Sequence, residues 1–200
     1  MTIRPARPGD APALESVCLR TGDAGLDATD LYADPALLAQ VYLHPYLALE
    51  PGLAFVVSDD DAVGGYVVGA LDTGDFERRC EAAWWPALRE RYPLGRWAPQ
   101  DGADAAIVRL IHSPPRADPA VLVDHPSHLR VDLLPPWQGQ GWGRRLLETL
   151  FDALATAGSR GAHLVVARRN ERAVAFYRRV GLIELTADDG SLTLGRRLDG

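Results

Sequence analysis

The chain has 200 residues, 47% of them apolar and 24% charged, which suits one globular domain with a sizeable core. Its net charge of −6 argues against a general nucleic-acid or membrane-surface binder, and two cysteines, Cys18 and Cys80, make no disulfide framework and read as free thiols. There is no signal-peptide pattern and no run of ~18 apolar residues, so a cytoplasmic protein is expected.

Thr2 to Ala6 predicts a first strand. Asp10 and Pro12 then open a helix with Leu14, Val17 and Cys18 on one face. The turn-rich segment Thr21-Gly22-Asp23-Ala24-Gly25 stops it. A second helix is expected over 34–43, closed before Pro45. Ala54–Ser58 and Val63–Leu71 read as a β-hairpin across Asp59-Asp60-Asp61, a solvated turn whose spacing is not that of a calcium loop. Gly64, Gly65 and Gly69 in its second strand predict a bulge or a close approach.

Residues 73–125 interrupt the sheet pattern and read as an insertion in a single domain spanning 1–200, too broken for a core of its own. A helix is expected over 76–92, a loop over 95–105, a short strand over 107–112 and an irregular crossing at Pro114, Pro115 and Pro119. Trp84, Trp85, Trp97 and Trp137 suit core or insertion packing, or the wall of a pocket. The scattered His112, His125 and His163 do not suggest a zinc site.

Residues 128–143, HLRVDLLPPWQGQGWG, carry the most information. They read as a strand, a break at Pro135-Pro136, and a glycine-rich turn that runs straight into a helix. Gly139, Gly141 and Gly143 expose backbone N–H groups, and the helix adds its positive dipole end, together a site for a phosphate or pyrophosphate. The helix carries Leu146, Leu147, Leu150, Phe151 and Leu154 and ends at Gly158. Ala162–Ala167 is an apolar strand, making a parallel strand–helix–strand unit. Asn170 caps a further helix containing Ala173, Phe176, Tyr177 and Val180. Strands at about 182–187 and 191–198 pair across Asp188-Asp189-Gly190.

A nucleotide-hydrolysing P-loop needs GxxxxGK[ST], which is absent, and the spacing is not the dinucleotide GxGxxG. Gln138-Gly139-Gln140-Gly141-Trp142-Gly143 resembles instead the pyrophosphate-binding motif of the GNAT family of N-acetyltransferases. Leu133-Leu134-Pro135 stands where that family's central strand bulges and splays from the next. Asn170-x-x-Ala173-x-x-Phe176-Tyr177-x-x-x-Gly181-Leu182 is similar to its second signature. Thr21 to Thr29, Pro45-Tyr46-Leu47, Gly65-Tyr66-x-x-Gly69-Ala70-x-Asp72 and Tyr92-Pro93 further resemble the acetyltransferase-like C-terminal domain of O-GlcNAcase and its free-standing bacterial relatives. The animal domain is regarded as a pseudo-acetyltransferase with a degraded coenzyme A loop; this chain departs from it by an intact loop.

The resemblance implies an α/β fold: a mixed, twisted sheet of about six or seven strands, splayed at the centre, with helices on both faces. It implies acetyl-CoA as acyl donor and direct transfer of acetyl to an amine, borne by a small molecule or a protein lysine. The alternative is a catalytically inactive module that binds a peptide or protein partner. Val131, Asp132 and Leu133 then hold the pantetheine arm, with the N–H near Leu133 a candidate oxyanion donor. Gln138, Gly139, Gln140, Gly141, Trp142, Gly143 and Arg144 hold the pyrophosphate, with Arg144 or Arg145 adding charge. Asn170 meets the pantetheine amides, caps its helix, or does both.

Tyr177 is the candidate acid for the departing thiolate, although a Phe-Tyr pair on an amphipathic helix is commonly core. Asp72, at a strand end, and Asp23, in the TGDAG segment, are candidates for the base, for binding a cationic substrate, or for capping a turn; Asp27 is a weaker one. His128 and Asp132 have the parity opposite to 131 and 133 and are expected to face the other side of the sheet. Cysteine is absent from the motif region, so no covalent intermediate is expected.

Overall fold

A computed structural model describes residues 1–59, 62–97 and 101–198. Seven strands form one mixed sheet: β1 (Thr2–Pro5), β2 (Ala54–Ser58), β3 (Val63–Ala70), β4 (Ser127–Leu133), β5 (Gly161–Ala167), β6 (Ile183–Ala187) and β7 (Ser191–Arg197), in the order β1-β2-β3-β4-β5-β7-β6. Neighbours are antiparallel except β4 and β5, which are parallel. The parallel pair holds at only two positions, Ser127 against Ala162 and His128 against His163. Beyond them the two strands no longer pair, and the sheet is open at its centre. β4 itself keeps regular register with β3 from His128 to Leu133, so the expected splay occurs without a bulge along this pairing.

The helices form two layers. α1 (Ala11–Arg20), α2 (Leu37–Tyr42) and α3 (His44–Leu49) cover one face, together with α4 (Thr73–Ala83), α5 (Trp85–Arg91) and α7 (Ala103–His112). The short α6 (Leu94–Trp97) and α8 (Pro119–Asp124) complete the segment between β3 and β4. Its Phe76, Cys80, Trp85, Leu88, Tyr92, Val108 and Ile111 are buried in the same cluster as Leu14, Leu37 and Tyr66. α9 (Trp142–Thr156) and α10 (Glu171–Arg179) cover the other face, burying Leu146, Leu147, Leu150 and Leu154 against Leu129 and Leu164.

Several sequence expectations are corrected. Residues 107–112 are helical: Ala105, Val108 and Ile111, with Ile107 beside them, bury a helical stripe, and the apolar run that suggested a strand is its core face. The 76–92 helix is two, because Pro86 in the first turn of α5 has no N–H to continue α4. The expected 34–43 helix is α2, which starts later, at Leu37, and closes before Pro45; Pro45 then occupies the first turn of α3, where its missing N–H costs nothing. Pro119 does the same in α8, which Asp118 caps through the Ala120 N–H at 2.9 Å. The expected 95–105 loop contains α6 and the start of α7; residues 98–100 lie outside the described residues, as do Asp60 and Asp61 of the hairpin turn.

The hairpin glycines are sites of close approach. A Cβ on Gly64 would lie 1.9 Å from the Trp137 ring, and one on Gly65 would lie 2.6 Å from the Asp132 carbonyl. Trp137 thereby seats the Pro135–Trp137 turn against β3 and fixes where the glycine turn begins.

Candidate active site

The opening between β4 and β5 is a cleft of about 1460 Å³. Leu134 N–H donates to the Gly64 carbonyl at 2.9 Å, toward β3. Alternation along a strand then turns the N–H groups of Val131 and Leu133 toward the opening, where β5 is out of reach. Gln138 covers part of this edge, its Nε2 donating to the Leu133 carbonyl at 2.7 Å.

At the mouth of the cleft, Gly139 (φ 75°) and Gly141 (φ 83°) adopt left-handed backbone that only glycine takes without strain. Gly143 has a different reason: a Cβ there would stand 3.1 Å from Phe176 Cζ. The first bond within α9 runs from Arg145 N–H to the Gly141 carbonyl at 3.2 Å, and no side chain caps the helix. The N–H groups of Trp142, Gly143 and Arg144 are therefore available to an anion, at the positive end of a 15-residue helix.

Val131, Asp132, Leu133, Gln138 and Gly139 line the cleft, as do Gly141, Gly143, Arg144, Asn170 and Tyr177. Gln140 and Trp142 do not. Gln140 folds back, donating from Nε2 to the Pro136 carbonyl at 2.7 Å, and Trp142 packs beneath Arg145, whose guanidinium lies 4.8 Å from its ring. Asn170 caps α10 by accepting the Ala173 N–H at 3.1 Å, and its amide nitrogen faces Gly25. Asp23 does not line the cleft; it pairs with Arg169 at 2.5 Å and so ties the TGDAG turn to the β5–α10 turn across the opening. Asp27 is exposed and accepts from the Thr29 N–H at 2.9 Å. Asp72 stands apart from the cleft: it is exposed and caps α4 by accepting the Asp75 N–H at 2.7 Å. The strand-end position that suggested a base is an N-cap.

Tyr177 is 8% exposed, and burial, reinforced by the charge of Asp132, pushes its phenol well above the usual range. It holds its proton at neutral pH. On the opposite side of β4, parity places His128, Arg130 and Asp132 together, yet the open sheet lets Arg130 and Asp132 line the same cleft as Val131 and Leu133. Asp132 accepts the Tyr66 hydroxyl at 2.7 Å. Burial raises its carboxyl above the ordinary carboxylate range, partly offset by Tyr66 and Arg130.

A directional chain holds Arg130. The Thr73 hydroxyl donates to the Pro126 carbonyl (2.7 Å), so His128 Nδ1–H donates to Thr73 (2.9 Å), and Tyr46 donates to His128 Nε2 (2.8 Å). Burial, with lesser contributions from His163 and Arg130, takes the His128 imidazole down to about 3, so it is neutral as this chain requires. Arg130 Nε then donates to Tyr46 at 3.4 Å, and its guanidinium lies 4.2 Å from the Tyr42 ring.

Arg130 and Tyr42 stand in none of the motifs, and Tyr46 and Tyr66 stand in resembling segments that give them no role. The available signal was three polar residues alternating on a strand with neighbours on both sides, where apolar residues are the rule. Cys18 also lines the cleft, but burial, then Asp132, pushes its thiol up to about 12, so it is not a nucleophile near neutrality. Among the described residues there is no cluster of metal-ligating side chains, and no helix long and apolar enough to cross a membrane.

A sheet splayed beside a glycine turn and an uncapped helix is the architecture of the GNAT acetyltransferases, and the chain belongs to that superfamily. The acetyltransferase (GNAT) domain family matches residues 99–182. Within the superfamily the chain is related to the acetyltransferase-like domain of O-GlcNAcase. The Rattus norvegicus O-GlcNAcase is 26% identical over 98% of this chain, which spans 22% of that protein's length. The crystal structure of SsHAT superposes with a TM-score of 0.93 at 41% identity, covering all of this chain and 98% of its own. The Salmonella typhimurium protein yncA, whose structure holds its cofactor acetyl-CoA, has a TM-score of 0.59 at 16% identity, covering all of this chain and 95% of its own, a likeness of fold.

Proposed function

We propose that the protein transfers an acetyl group from acetyl-CoA directly to an amine. The observation that carries this reading is the two-position pairing of β4 with β5 beside an uncapped α9. The glycine turn and first-turn N–H groups of α9 suit a pyrophosphate, and the inward backbone groups of Val131 and Leu133 suit the amides of a pantetheine arm. The acetyl-CoA held by the yncA structure supports the same assignment. Acetyl-CoA supplies an activated thioester; the remaining requirements fall on this chain's side chains.

Asp132 is the base. It lines the cleft, its raised affinity for protons suits accepting one from an ammonium, and Tyr66 holds it in place. Tyr177, protonated and on the α10 side, delivers a proton to the departing thiolate. The Val131 and Leu133 N–H groups are the candidate donors to the developing oxyanion. The amine lone pair forms the new C–N bond as the C–S bond breaks, and no protein nucleophile is needed. An inactive binding module would have no use for two left-handed glycines and a bare helix end at the mouth of an open sheet, so that alternative is not favoured.

The test is release of free coenzyme A thiol from acetyl-CoA across a panel of amines, with the acetylated product identified by mass spectrometry. Amine-dependent release supports the reading. Its absence across the panel, in folded protein that binds acetyl-CoA, refutes it.

A further inference from the structure

Arg130 is unlike the other arginines that line the cleft. Arg116, Arg144, Arg169, Arg172 and Arg179 are all exposed, where water solvates their charge, and the first three also pair with Glu77, Glu148 and Asp23. Arg130 is partly buried, on the floor of the opening. Among the described residues its guanidinium is in no ion pair, and its contacts are the Tyr46 hydroxyl, taken by Nε, and the Tyr42 ring. Among the described residues its two terminal nitrogens, with four N–H donors in one plane, make no hydrogen bond. A desolvated charge of this kind is costly unless something pairs with it. The Thr73–His128–Tyr46 chain fixes the guanidinium by its Nε, leaving the outer fork presented. A planar fork of this sort matches a carboxylate bidentately.

Two residues along the same face stands Asp132, roughly 7 Å away along the strand. The pair has no net charge when Asp132 is ionised, and both His128 and His163, which flank this stretch, are held neutral by burial. A dianionic phosphate would leave an uncompensated negative charge beside Asp132. A zwitterion would not.

We propose that Arg130 and Asp132 form the acceptor subsite, and that the acceptor is an amino acid: its carboxylate on the Arg130 fork, its amino group beside Asp132. This rests on the acyl-transfer reading above and narrows it. Leu38, Leu110 and Tyr42 supply an apolar wall for the acceptor's side chain.

The experiment compares each common amino acid with its carboxamide, in the wild-type protein, by thiol release from acetyl-CoA. At least one amino acid is turned over with kcat/KM roughly ten- to a hundredfold above its carboxamide, through a lower KM. Arg130→Met brings that ratio toward one. Arg130→Lys keeps the charge without the fork and retains a reduced preference. Both variants are first shown to melt cooperatively and to bind acetyl-CoA. Equal turnover of amino acids and carboxamides, or turnover confined to amines without a carboxylate, overturns the subsite and leaves acyl transfer standing. Turnover of no amino acid overturns it as well. If acetyl-CoA itself does not bind, acyl transfer falls, and thermal shift decides the subsite separately. A rise in melting temperature with amino acids and not with carboxamides upholds it; no rise removes it.

Discussion

Replacing Gly141 by tryptophan separates the glycine turn's role in binding from any role in folding. At φ 83° a side chain costs about 1–2 kcal/mol of backbone strain. An ideal Cβ there meets nothing within 4 Å, so no clash with the protein adds to that cost. For a domain of this size the strain lowers the melting temperature by roughly 2–8 °C. The indole, however, projects from the helix N-cap into the mouth of the cleft, where the pyrophosphate would meet the Trp142, Gly143 and Arg144 N–H groups. Losing even two charge-assisted bonds there weakens acetyl-CoA binding by a hundredfold or more, in order of magnitude. Calorimetric titration measures the affinity and differential scanning calorimetry the stability, on the same preparation. A Gly141→Trp protein that melts within this range yet binds acetyl-CoA as the wild type does would refute the assignment of the turn.

Tyr177→Phe removes the proposed acid without opening a cavity; kcat should fall roughly a hundredfold while acetyl-CoA affinity holds, and wild-type turnover would remove Tyr177 from the mechanism. Tyr66→Phe takes away a hydrogen bond that favours ionised Asp132, so the Asp132 carboxyl rises further. Activity needs that group deprotonated, so the acid limb of the kcat/KM profile should move to higher pH; an unmoved limb would show that Asp132 is not the base. Gly64→Ala places a methyl where the Trp137 ring sits, 1.9 Å from its nearest atom, and should destabilise the fold by about 1–3 kcal/mol or more. Because Trp137 seats the start of the glycine turn, acetyl-CoA affinity should drop with it, whereas a stable variant with unchanged affinity would show the turn to be positioned otherwise.

How far the sequence could be read follows from how local each feature is. The glycine turn, α9, the β5 strand and the Asn170 cap are written in consecutive residues, and the structure has them where the motifs place them. The helical segment 73–125 is harder, because proline has two meanings: Pro86, inside an expected single helix, and Pro119, in an expected irregular crossing, each stand in the first turn of a helix of their own. Asp72 looked like a base because it ends a strand, but one hydrogen bond to the Asp75 N–H accounts for it. The Arg130 environment was invisible for the opposite reason. Tyr42, Tyr46, Tyr66 and Thr73 come from four elements, and only the folded sheet brings them around one strand. Strand parity turns the Asp132 side chain away from the face of Val131 and Leu133, yet all three border one cleft, because residues from both faces of β4 reach the opening between β4 and β5.

Under the proposed function, the opening between β4 and β5 receives acetyl-CoA. Calorimetric titration of the wild-type protein with acetyl-CoA, with NADPH as the control nucleotide, tests it most directly. Saturable one-site binding of acetyl-CoA, without binding of NADPH, is the predicted result. No binding of acetyl-CoA to protein shown to be folded, or equal binding of both, would contradict it.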